Sequence, residues 1–371
     1  MQLVQTPRDT LLRPLSIVSG IVERRHTLPI LANILIKKDG TDVAFVSTDI
    51  EIQITTRAPI GAGKEETQTT VAARKLLDIL KALPDGTVKL DLSDKKLGVQ
   101  SGKSRFKLQT LAAEDFPTVN TPTSFAASFS MPQQALKHLF AMVHFSMAQQ
   151  DIRYYLNGLL LVVDGGQVAA VATDGHRLAY SVIKVDGDFP KTDVIIPRKT
   201  IIELQRLLAD TDDAVRIDIA ANQIRFTFSA QGGDIELISK LVEGKFPDYQ
   251  RVIPKNHTRT FTIPRDELQH ALQRVAILTS EKFKAVRLAI ADNALGITSS
   301  NADQEDAQEE LEVDYAGEPI EIGFNVGYLL DVLGNLKCER VQLAFGDANS
   351  SALLTIPEDE TFKYVVMPMR I

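Results

Sequence analysis

The side chains that most often carry catalysis or bind metals are few in this sequence and form no known motif. The six histidines lack the HExxH spacing that places two zinc ligands and a general base on one helix. Asp174 and His176 form a candidate acid–base pair, but no GxSxG nucleophile turn or GxxxxGK[ST] phosphate loop accompanies them. We therefore expect no catalytic residue, no metal site and no cofactor. The alternative is a catalytic repeat protein with a cleft around residues 173–177.

The single cysteine, Cys338, excludes an intrachain disulfide and any site built from several cysteines. Pro7, Arg8 and Asp9 interrupt the region where a signal peptide needs an apolar segment. The longest apolar runs, such as residues 159–163, are far shorter than the roughly 18 residues that span a bilayer. These features predict a cytoplasmic protein that has no membrane partner.

Charge is distributed unevenly along the 371 residues. The net charge is −7, so no overall positive field indicates a nucleic-acid partner. The predicted helices, with the loop after the first of them, carry 14 basic and 8 acidic residues, which leaves −13 for the rest of the chain. Helices that share one surface could meet a polyanion while the other surfaces repel it. Ordinary solvated helix faces would give the same pattern.

Three landmarks recur in the same order at intervals of about 125 to 130 residues. A strand, a proline and an amphipathic helix occur around Pro7, Pro132 and Pro264, where the proline suits a first helical turn. A Thr-Asp or Ser-Asn pair follows at 48–49, 173–174 and 300–301, and a second helix at 73–83, 197–208 and 325–336. The chain thus contains three copies of one small domain.

Each copy is predicted to be an α+β domain with two helices packed on antiparallel sheets. The runs 42–54, 88–99, 215–228 and 341–356 alternate in hydrophobicity or are β-branched, as strands are. Short polar stretches rich in turn formers separate the copies. We therefore place the domains at residues 1–125, 126–257 and 258–371.

The number of helices limits what they could enclose. Six helices of about 10 Å diameter, side by side, leave an opening of about 9 Å, which is too narrow for duplex DNA. Twelve helices leave an opening of about 28 Å. If the helices line a hole around DNA, two chains must form the ring.

Several long segments, taken in order, resemble the bacterial DNA polymerase III beta subunit family, the beta sliding clamps. They are residues 27–31 (TLPIL), 145–147 (FSM), 151–158 (DIRYYLNG), 172–179 (ATDGHRLA), 245–249 (KFPDY), 321–326 (EIGFNV) and 364–370 (YVVMPMR). The resemblance covers essentially the whole chain. It implies a head-to-tail homodimer, a ring of six DNA-clamp domains with helices inside and sheet outside. Such a ring is a processivity factor that tethers DNA polymerase III to double-stranded DNA and slides with it.

The resemblance also implies residues that face DNA without reading its sequence. Basic groups there would contact phosphates, and Tyr154 could stack on an exposed base. The neighbouring Arg24 leaves open which arginine of the first loop dominates, and surface solubility is the alternative reading for all of them. The candidate residues are Arg25, Arg74, Lys75, Gln150, Tyr154, Arg198 and Lys199.

A hydrophobic pocket is implied next, with the flexible thioethers of the C-terminal tail in its wall. It would bind short linear peptides of the DNA polymerase III catalytic subunit, the clamp loader and repair polymerases, one at a time. Without the resemblance, the tail would be interpreted as a terminal core strand. The pocket residues are Leu156, Thr173, Gly175, His176, Arg177, Leu178, Pro247, Arg251, Val252, Val365, Val366, Met367, Pro368, Met369 and Arg370, with Arg153 and Tyr155 at the rim.

For the dimer seam, the resemblance implies apolar burial and opposite charges that set orientation. A run of carboxylates by itself is usually a solvated face. On the first-domain side the residues are Lys75, Lys103, Arg105, Phe106 and Leu108, and on the third-domain side Ile277, Leu278, Glu305, Asp306, Glu309 and Glu310.

Overall fold

The computed structural model describes residues 1–22, 28–230, 233–280 and 283–370. Within these ranges the helices are α1 (Arg8–Val18), α2 (Ala73–Ala82), α3 (Gln133–Ala141), α4 (Arg198–Leu207), α5 (Tyr249–Val252), α6 (Arg265–Ala276) and α7 (Val326–Asn335). All the strand pairs are antiparallel. The predicted α+β class is confirmed.

Twenty-two strands form three sheets in the described part of the chain. They are β1 (Gln2–Pro7), β2 (Asn33–Asp39), β3 (Asp42–Thr48), β4 (Ile52–Ala58), β5 (Thr67–Ala72), β6 (Thr87–Ser93), β7 (Lys96–Ser101), β8 (Ser104–Leu111), β9 (Ala127–Pro132), β10 (Gly158–Thr173), β11 (Arg177–Pro197), β12 (Ala214–Ile219), β13 (Gln223–Ala230), β14 (Gly233–Lys240), β15 (Arg259–Pro264), β16 (Ala285–Ala291), β17 (Ala294–Ser300), β18 (Asp306–Glu312), β19 (Ile320–Asn325), β20 (Arg340–Phe345), β21 (Ala352–Ile356) and β22 (Asp359–Val366).

The chain divides into two compact units. The first contains Met1–Lys137 and Lys199–Leu241. It is built on a 12-stranded sheet of order β1-β6-β7-β8-β5-β2-β3-β4-β14-β13-β12-β9. The pairing of β4 with β14 carries this sheet from the first sequence repeat into the second.

The second unit contains His138–Arg198 and Val242–Ile371. It has a six-stranded sheet of order β10-β11-β22-β21-β20-β15 and a four-stranded sheet of order β18-β17-β16-β19. The pairing of β11 with β22 carries the first of these sheets from the second repeat into the third. The middle repeat therefore contributes strands to both units, and the boundaries at 125 and 257 stay predictions.

Strand register confirms the repetition. Asn33 pairs with Ala72, Gly158 with Pro197, and Ala285 with Asn325, so equivalent strands begin 125 and 127 residues apart. The first two repeats also share a core contact. Phe116 packs with Leu35 and Val46, and Phe246 packs with Leu160 and Val171.

The six long helices occur where the landmarks predict them, and their apolar stripes are buried. Leu11 and Leu15 of α1, like Leu268 and Leu272 of α6, are almost fully enclosed. The three prolines differ from expectation, because each ends a strand and its helix begins at the next residue. A fixed φ near −65° is compatible with both the end of a strand and the residue before a helix.

Each run predicted as strand is two strands joined by a turn. Residues 42–54 contain β3 and β4, and residues 88–99 contain β6 and β7. Asp94 and Lys95, between β6 and β7, have φ of 47° and 60°, as a tight hairpin turn requires. Residues 215–228 and 341–356 are divided in the same way.

Candidate functional site

The predicted pocket begins at the turn of residues 173–177, called here the Asp174 turn, which joins β10 to β11. Asp174 Oδ1 accepts the backbone N–H groups of His176 and Arg177 at 2.9 and 3.0 Å. Thr173 Oγ1 donates to the Arg177 carbonyl at 2.6 Å and accepts the N–H of Gly175 at 3.1 Å. An aspartate that caps its own backbone in this way makes a tight, rigid turn.

The first repeat has the same turn and the third a wider one with a similar cap, which explains the Thr-Asp and Ser-Asn landmark. Asp49 Oδ1 accepts the N–H groups of Glu51 and Ile52 at 3.0 and 2.9 Å. Asn301 Oδ1 accepts those of Asp303 and Glu305 at 3.0 and 3.1 Å. The conserved element of the repeat is thus a backbone cap.

Gly175 permits a close approach that fixes the rim of the pocket. Its φ is +90°, and a Cβ atom there would lie 2.9 Å from Arg153 Nη1. Arg153 Nη2 donates to Asp151 Oδ2 at 2.8 Å and to the Asp174 carbonyl at 3.2 Å. The hydrogen bond from the Arg153 side chain lowers the pKa of Asp151 to about 2. Asp151 therefore stays ionised and holds Arg153 beside the turn.

Arg177 lies behind the turn and is largely enclosed. Its Nε donates to Asp174 Oδ2 at 3.1 Å, its Nη1 to Asp331 Oδ2 at 2.6 Å and its Nη2 to the Phe145 carbonyl at 2.7 Å. The guanidinium carbon lies 4.5 Å from the centre of the Tyr328 ring, a cation–π distance. Burial opposes the charge, but Tyr364, Asp331 and Asp174 together raise the pKa of Arg177.

The C-terminal tail joins the pocket through β22. Leu178 pairs with Val365, and the Met367 N–H donates to the His176 carbonyl at 2.9 Å. Val365 and Val366 are buried, whereas the Met367 side chain is 47% exposed. The tail is therefore both a core strand and, beyond Val366, an exposed wall of the site.

The opposite wall is the strap, defined as residues 242–253, which crosses the same sheet face. Its Phe246 packs against Leu178 and Val365 in one buried cluster. Pro247 and Arg251 are exposed, and Val252 is 45% exposed. The structure thus brings the predicted residues of the turn, the tail and the strap together, with Leu156 buried beneath and Tyr155 packed at the edge of the cluster. Pro368 and Met369 are half-buried and Arg370 is exposed.

A cavity of about 460 Å³ opens beside the strap. Tyr180 and Tyr249 stack in its wall with ring centres 5.8 Å apart. Leu160 and Ala169 contribute apolar lining, and Lys191 and Asp193 contribute charged groups. The site therefore has space beside the strap.

The equivalent place in the first repeat also holds a cavity, of about 310 Å³, but its lining is mostly polar. Register makes Gln53 the counterpart of Leu178, because Gln53 pairs with Thr48 as Leu178 pairs with Thr173. Gln53 Oε1 accepts the Val119 N–H at 2.9 Å, which holds the crossing segment down. Leu178 cannot accept such a bond, and the cavity of the second repeat is lined by the apolar Leu160, Val162 and Phe246, so the second repeat is better suited to an apolar ligand.

Sequence reasoning missed Phe145, Tyr328, Asp331 and Tyr364 as parts of this site. The His176 and Tyr328 rings stack with centres 6.4 Å apart, and the Tyr364 hydroxyl donates to the Tyr328 carbonyl at 2.8 Å. Burial raises the pKa of both tyrosines, so both hydroxyls stay protonated. The i, i+3 spacing on a helix was the available signal for Tyr328 and Asp331. Phe145 and Tyr364 lie in two of the segments that resemble the family.

The geometry does not favour a catalytic cleft at the Asp174 turn. Both carboxylate oxygens of Asp174 are engaged by the backbone of the turn and by Arg177. The His176 ring stacks on Tyr328, and the Thr173 hydroxyl is bonded within the turn. The described residues also contain no group of His, Cys, Asp and Glu side chains that could hold a metal ion.

Three of the residues predicted to face DNA lie in the first unit. Arg74 and Lys75 are exposed in the first turn of α2, and Arg74 Nη2 donates to the Val22 carbonyl at 3.0 Å. Lys199 Nζ donates to Asp49 Oδ2 at 2.5 Å. Arg25 lies outside the described residues, as does Arg24.

The second unit holds Gln150, Tyr154 and Arg198. Gln150 has a positive φ of 55°, and the Tyr154 side chain is 58% exposed. Arg198 Nη1 donates to the Met147 carbonyl at 3.2 Å. Burial, followed by the charge of Arg177, lowers the pKa of Arg198.

The predicted seam residues occupy strand edges and exposed positions. In the first unit, residues 104–109 of β8 pair only with β7, because β5 reaches only Thr110 and Leu111. Phe106 is 38% exposed there, Lys103 and Arg105 are exposed, and Leu108 is half-buried. In the second unit, β18 is the edge of its sheet.

Around β18 the structure adds one internal contact that was not expected. Glu309 accepts from Arg274 Nε and Nη2 at 2.7 and 2.8 Å. Glu305, Asp306 and Glu310 are exposed. Ile277, after α6, is 77% exposed, and Leu278 is half-buried.

Comparison with known proteins decides the family. Three models of the DNA polymerase III beta subunit match, the N-terminal domain over residues 2–120, the central domain over 130–248 and the C-terminal domain over 250–370. The chain belongs to this family. It is 45% identical to the beta sliding clamps of Pseudomonas aeruginosa and Escherichia coli, over 98% of each chain.

Solved structures of sliding clamps agree in fold. The DNA polymerase III subunit beta of Pseudomonas aeruginosa superposes with a TM-score of 0.95 at 44% identity, and a Caulobacter crescentus clamp with 0.92 at 38%, each over 100% of both chains. The chain is therefore a DNA sliding clamp, a non-catalytic processivity subunit in DNA replication. No helix in the described ranges is long and apolar enough to cross a membrane.

Proposed function

We propose that two copies of this chain join head to tail into a closed ring around double-stranded DNA. The main support is the pair of strand edges on β8 and β18. Both expose backbone groups that can pair with another strand. Lys103 and Arg105 make the β8 edge basic, whereas Asp306 and Glu310 make the β18 edge acidic. Antiparallel pairing of β8 with β18 of a second copy would join the two sheets and match opposite charges.

The repeats offer a second argument. Asp49 of the first turn pairs with Lys199 at the start of α4. In the second turn, Arg177 pairs with Asp331 of α7 at 2.6 Å. Each turn thus contacts the second helix of the following repeat. The Asn301 turn belongs to the third of these repeats and α2 to the first, so the same contact between the Asn301 turn and α2 of a second copy would join the two chains. Lys75 of α2 would then face the acidic residues after Asn301.

We infer that the ring holds DNA by enclosure and contacts phosphates regardless of sequence. Arg25, Arg74, Lys75, Gln150, Tyr154, Arg198 and Lys199 remain the proposed contacts. The test assembles labelled clamp on nicked circular DNA with a clamp loader, followed by cutting of the circle. We expect retention on the intact circle and release after cutting. Equal loss from circular and linear DNA would contradict enclosure.

We also propose that the turn, the tail and the strap form a pocket for short linear peptides of the polymerase, the clamp loader and repair polymerases. The exposed Met367 and Val252 side chains on opposite walls support an apolar anchor site. A related clamp of Pseudomonas aeruginosa has been solved bound to griselimycin, which supports ligand binding in this family.

The peptide site can be tested with a fluorescent peptide copied from a clamp-binding segment of the polymerase. Val252→Asp should raise its Kd at least tenfold, because a charge would be buried in the apolar contact. Ile202→Asp is the matched control, since Ile202 is 46% exposed and lies on α4 in the other unit. Equal effects of the two substitutions would contradict the site. We place this activity in the cytoplasm, with the replicated DNA.

A further inference from the structure

We propose that Asp331 is a positioning residue of the peptide pocket, which acts through Arg177. The inference rests on the proposed peptide site. The sequence predicts that Arg177 lines the site, yet three of its N–H groups donate to Asp174, Asp331 and the Phe145 carbonyl. Its side chain is only 9% exposed. Arg177 therefore supports the pocket from behind, and its orientation depends on the groups that hold it.

Of these three groups, Asp331 lies in the third repeat, on α7, whereas Asp174 and Phe145 lie in the second. It follows Tyr328 by three residues on α7, so the two side chains share a helix face. Asp331 binds the edge of the guanidinium at 2.6 Å, and Tyr328 contacts its face at 4.5 Å. Together they fix both the position and the plane of the Arg177 side chain.

The Arg177 guanidinium contacts Tyr328, which in turn contacts groups that the peptide would touch. The His176 ring stacks on Tyr328, and the His176 carbonyl accepts the Met367 N–H. A guanidinium that tilts would move the Tyr328 ring, and the His176 ring would follow. Asp331 thus sets the position of exposed pocket groups that it does not itself contact.

The size of the effect follows from burial. The Asp331 side chain is 49% exposed, so its ion pair is partly screened by water. Asp174 remains as a second carboxylate partner of Arg177 when Asp331 is changed. We therefore expect Asp331→Asn to raise the peptide Kd about fivefold, which corresponds to ~1 kcal/mol.

The experiment measures peptide Kd by fluorescence anisotropy for wild type, Asp331→Asn, Asp331→Glu, Arg177→Lys and the Arg177→Lys/Asp331→Asn double variant. We expect Asp331→Glu to retain wild-type affinity within about twofold, since it restores the carboxylate. Lysine keeps the charge but loses the planar fork. In that background Asp331→Asn should have no further effect, because Asp331 acts through the fork. Asp210→Asn, at an exposed carboxylate paired with Lys137, is the neutral control.

Chemical shifts of the His176 ring give a readout that a general loss of stability would not move. They should change in Asp331→Asn without bound peptide, while the melting temperature stays within a few degrees. Wild-type affinity of Asp331→Asn would overturn the inference alone, as would additive effects in the double variant. Failure of the wild-type chain to bind any peptide would overturn the peptide site and the inference with it.

Discussion

The double substitution Ile277→Ala with Leu278→Ala tests the proposed seam most directly. Ile277 is 77% exposed in the single chain, so a partner could cover most of it. Full burial of such a side chain is worth about 1.5–3 kcal/mol, and covering the exposed part contributes ~2 kcal/mol. Leu278 is half-buried already and adds ~1 kcal/mol. Each seam would therefore lose ~3 kcal/mol.

A ring of two chains has two identical seams, and both break when it separates into monomers. The loss for the ring is thus ~6 kcal/mol, and the dimer Kd should rise about 10⁴-fold. Sedimentation over a concentration series measures this constant directly. Circular dichroism should show unchanged secondary structure and melting, because both side chains lie outside the core cluster of their own chain.

Ile202→Ala is the matched control, since Ile202 is an exposed isoleucine on α4 and belongs to neither proposed edge. It should leave the dimer Kd within about twofold of wild type. A dimer Kd of the double variant within tenfold of wild type would refute the assignment of these two residues to the seam. Equal weakening by Ile202→Ala would show that the effect is not specific to that surface.

Three further changes probe the charge, the tail and the stability of the chain. Arg105→Glu should raise the dimer Kd at least tenfold, because the new carboxylate is repelled by the acidic β18 edge, and Glu310→Arg should partly restore it. If sedimentation shows no restoration in the double variant, the pairing of the two edges is contradicted. Met367→Ala should raise the peptide Kd roughly tenfold and leave the dimer intact, whereas unchanged affinity in the anisotropy assay would remove the tail from the pocket. Asp218→Asn should lower the free energy of unfolding by ~3 kcal/mol at pH 7 in urea titrations, because Asp218 is fully buried beneath two arginines.

The Asp218 effect should also depend on pH in a defined direction. Burial by itself would raise the pKa of Asp218, but hydrogen bonds from Ser128, Arg225 and Arg216 hold that pKa below its usual range. A depressed native pKa stabilises the fold above the unfolded pKa of about 4, and that contribution is lost as the pH falls through the native pKa. The difference between variant and wild type should therefore shrink in acid. A constant difference down to pH 2 would contradict this assignment.

Periodicity and motif were enough to predict the repeats and the long helices, because both are encoded locally. The run 42–54 was recognised as strand, but its hairpin after Thr48 was not located, since a capping aspartate inside a β-branched run has no clear period. The four-residue α5 was missed for a similar reason, as one turn is too short to show an apolar stripe. Sequence periodicity therefore predicts long helices and strands well, but it does not detect elements of only a few residues.

Contacts between repeats were beyond the reach of sequence. Lys199 and Asp49 are 150 residues apart, and neither position indicates that it meets the other. Arg177 was assigned to the pocket wall, whereas its N–H groups point to Asp174, Asp331 and Phe145. The packing of distant elements decides which N–H groups of a side chain form hydrogen bonds within the protein, so these bonds are visible only in the structure.

The internal partners of the cationic side chains have a mechanical consequence. Arg74, Arg198 and Lys199 each donate to an oxygen of their own chain, Val22 O, Met147 O and Asp49 Oδ2. A cation with such a partner gains little free energy from any single phosphate, so its energy changes little as the ring moves from one phosphate to the next. The potential along the duplex would then be almost flat, with shallow wells at successive base pairs. Friction would stay low, and thermal motion alone could carry the ring over long distances.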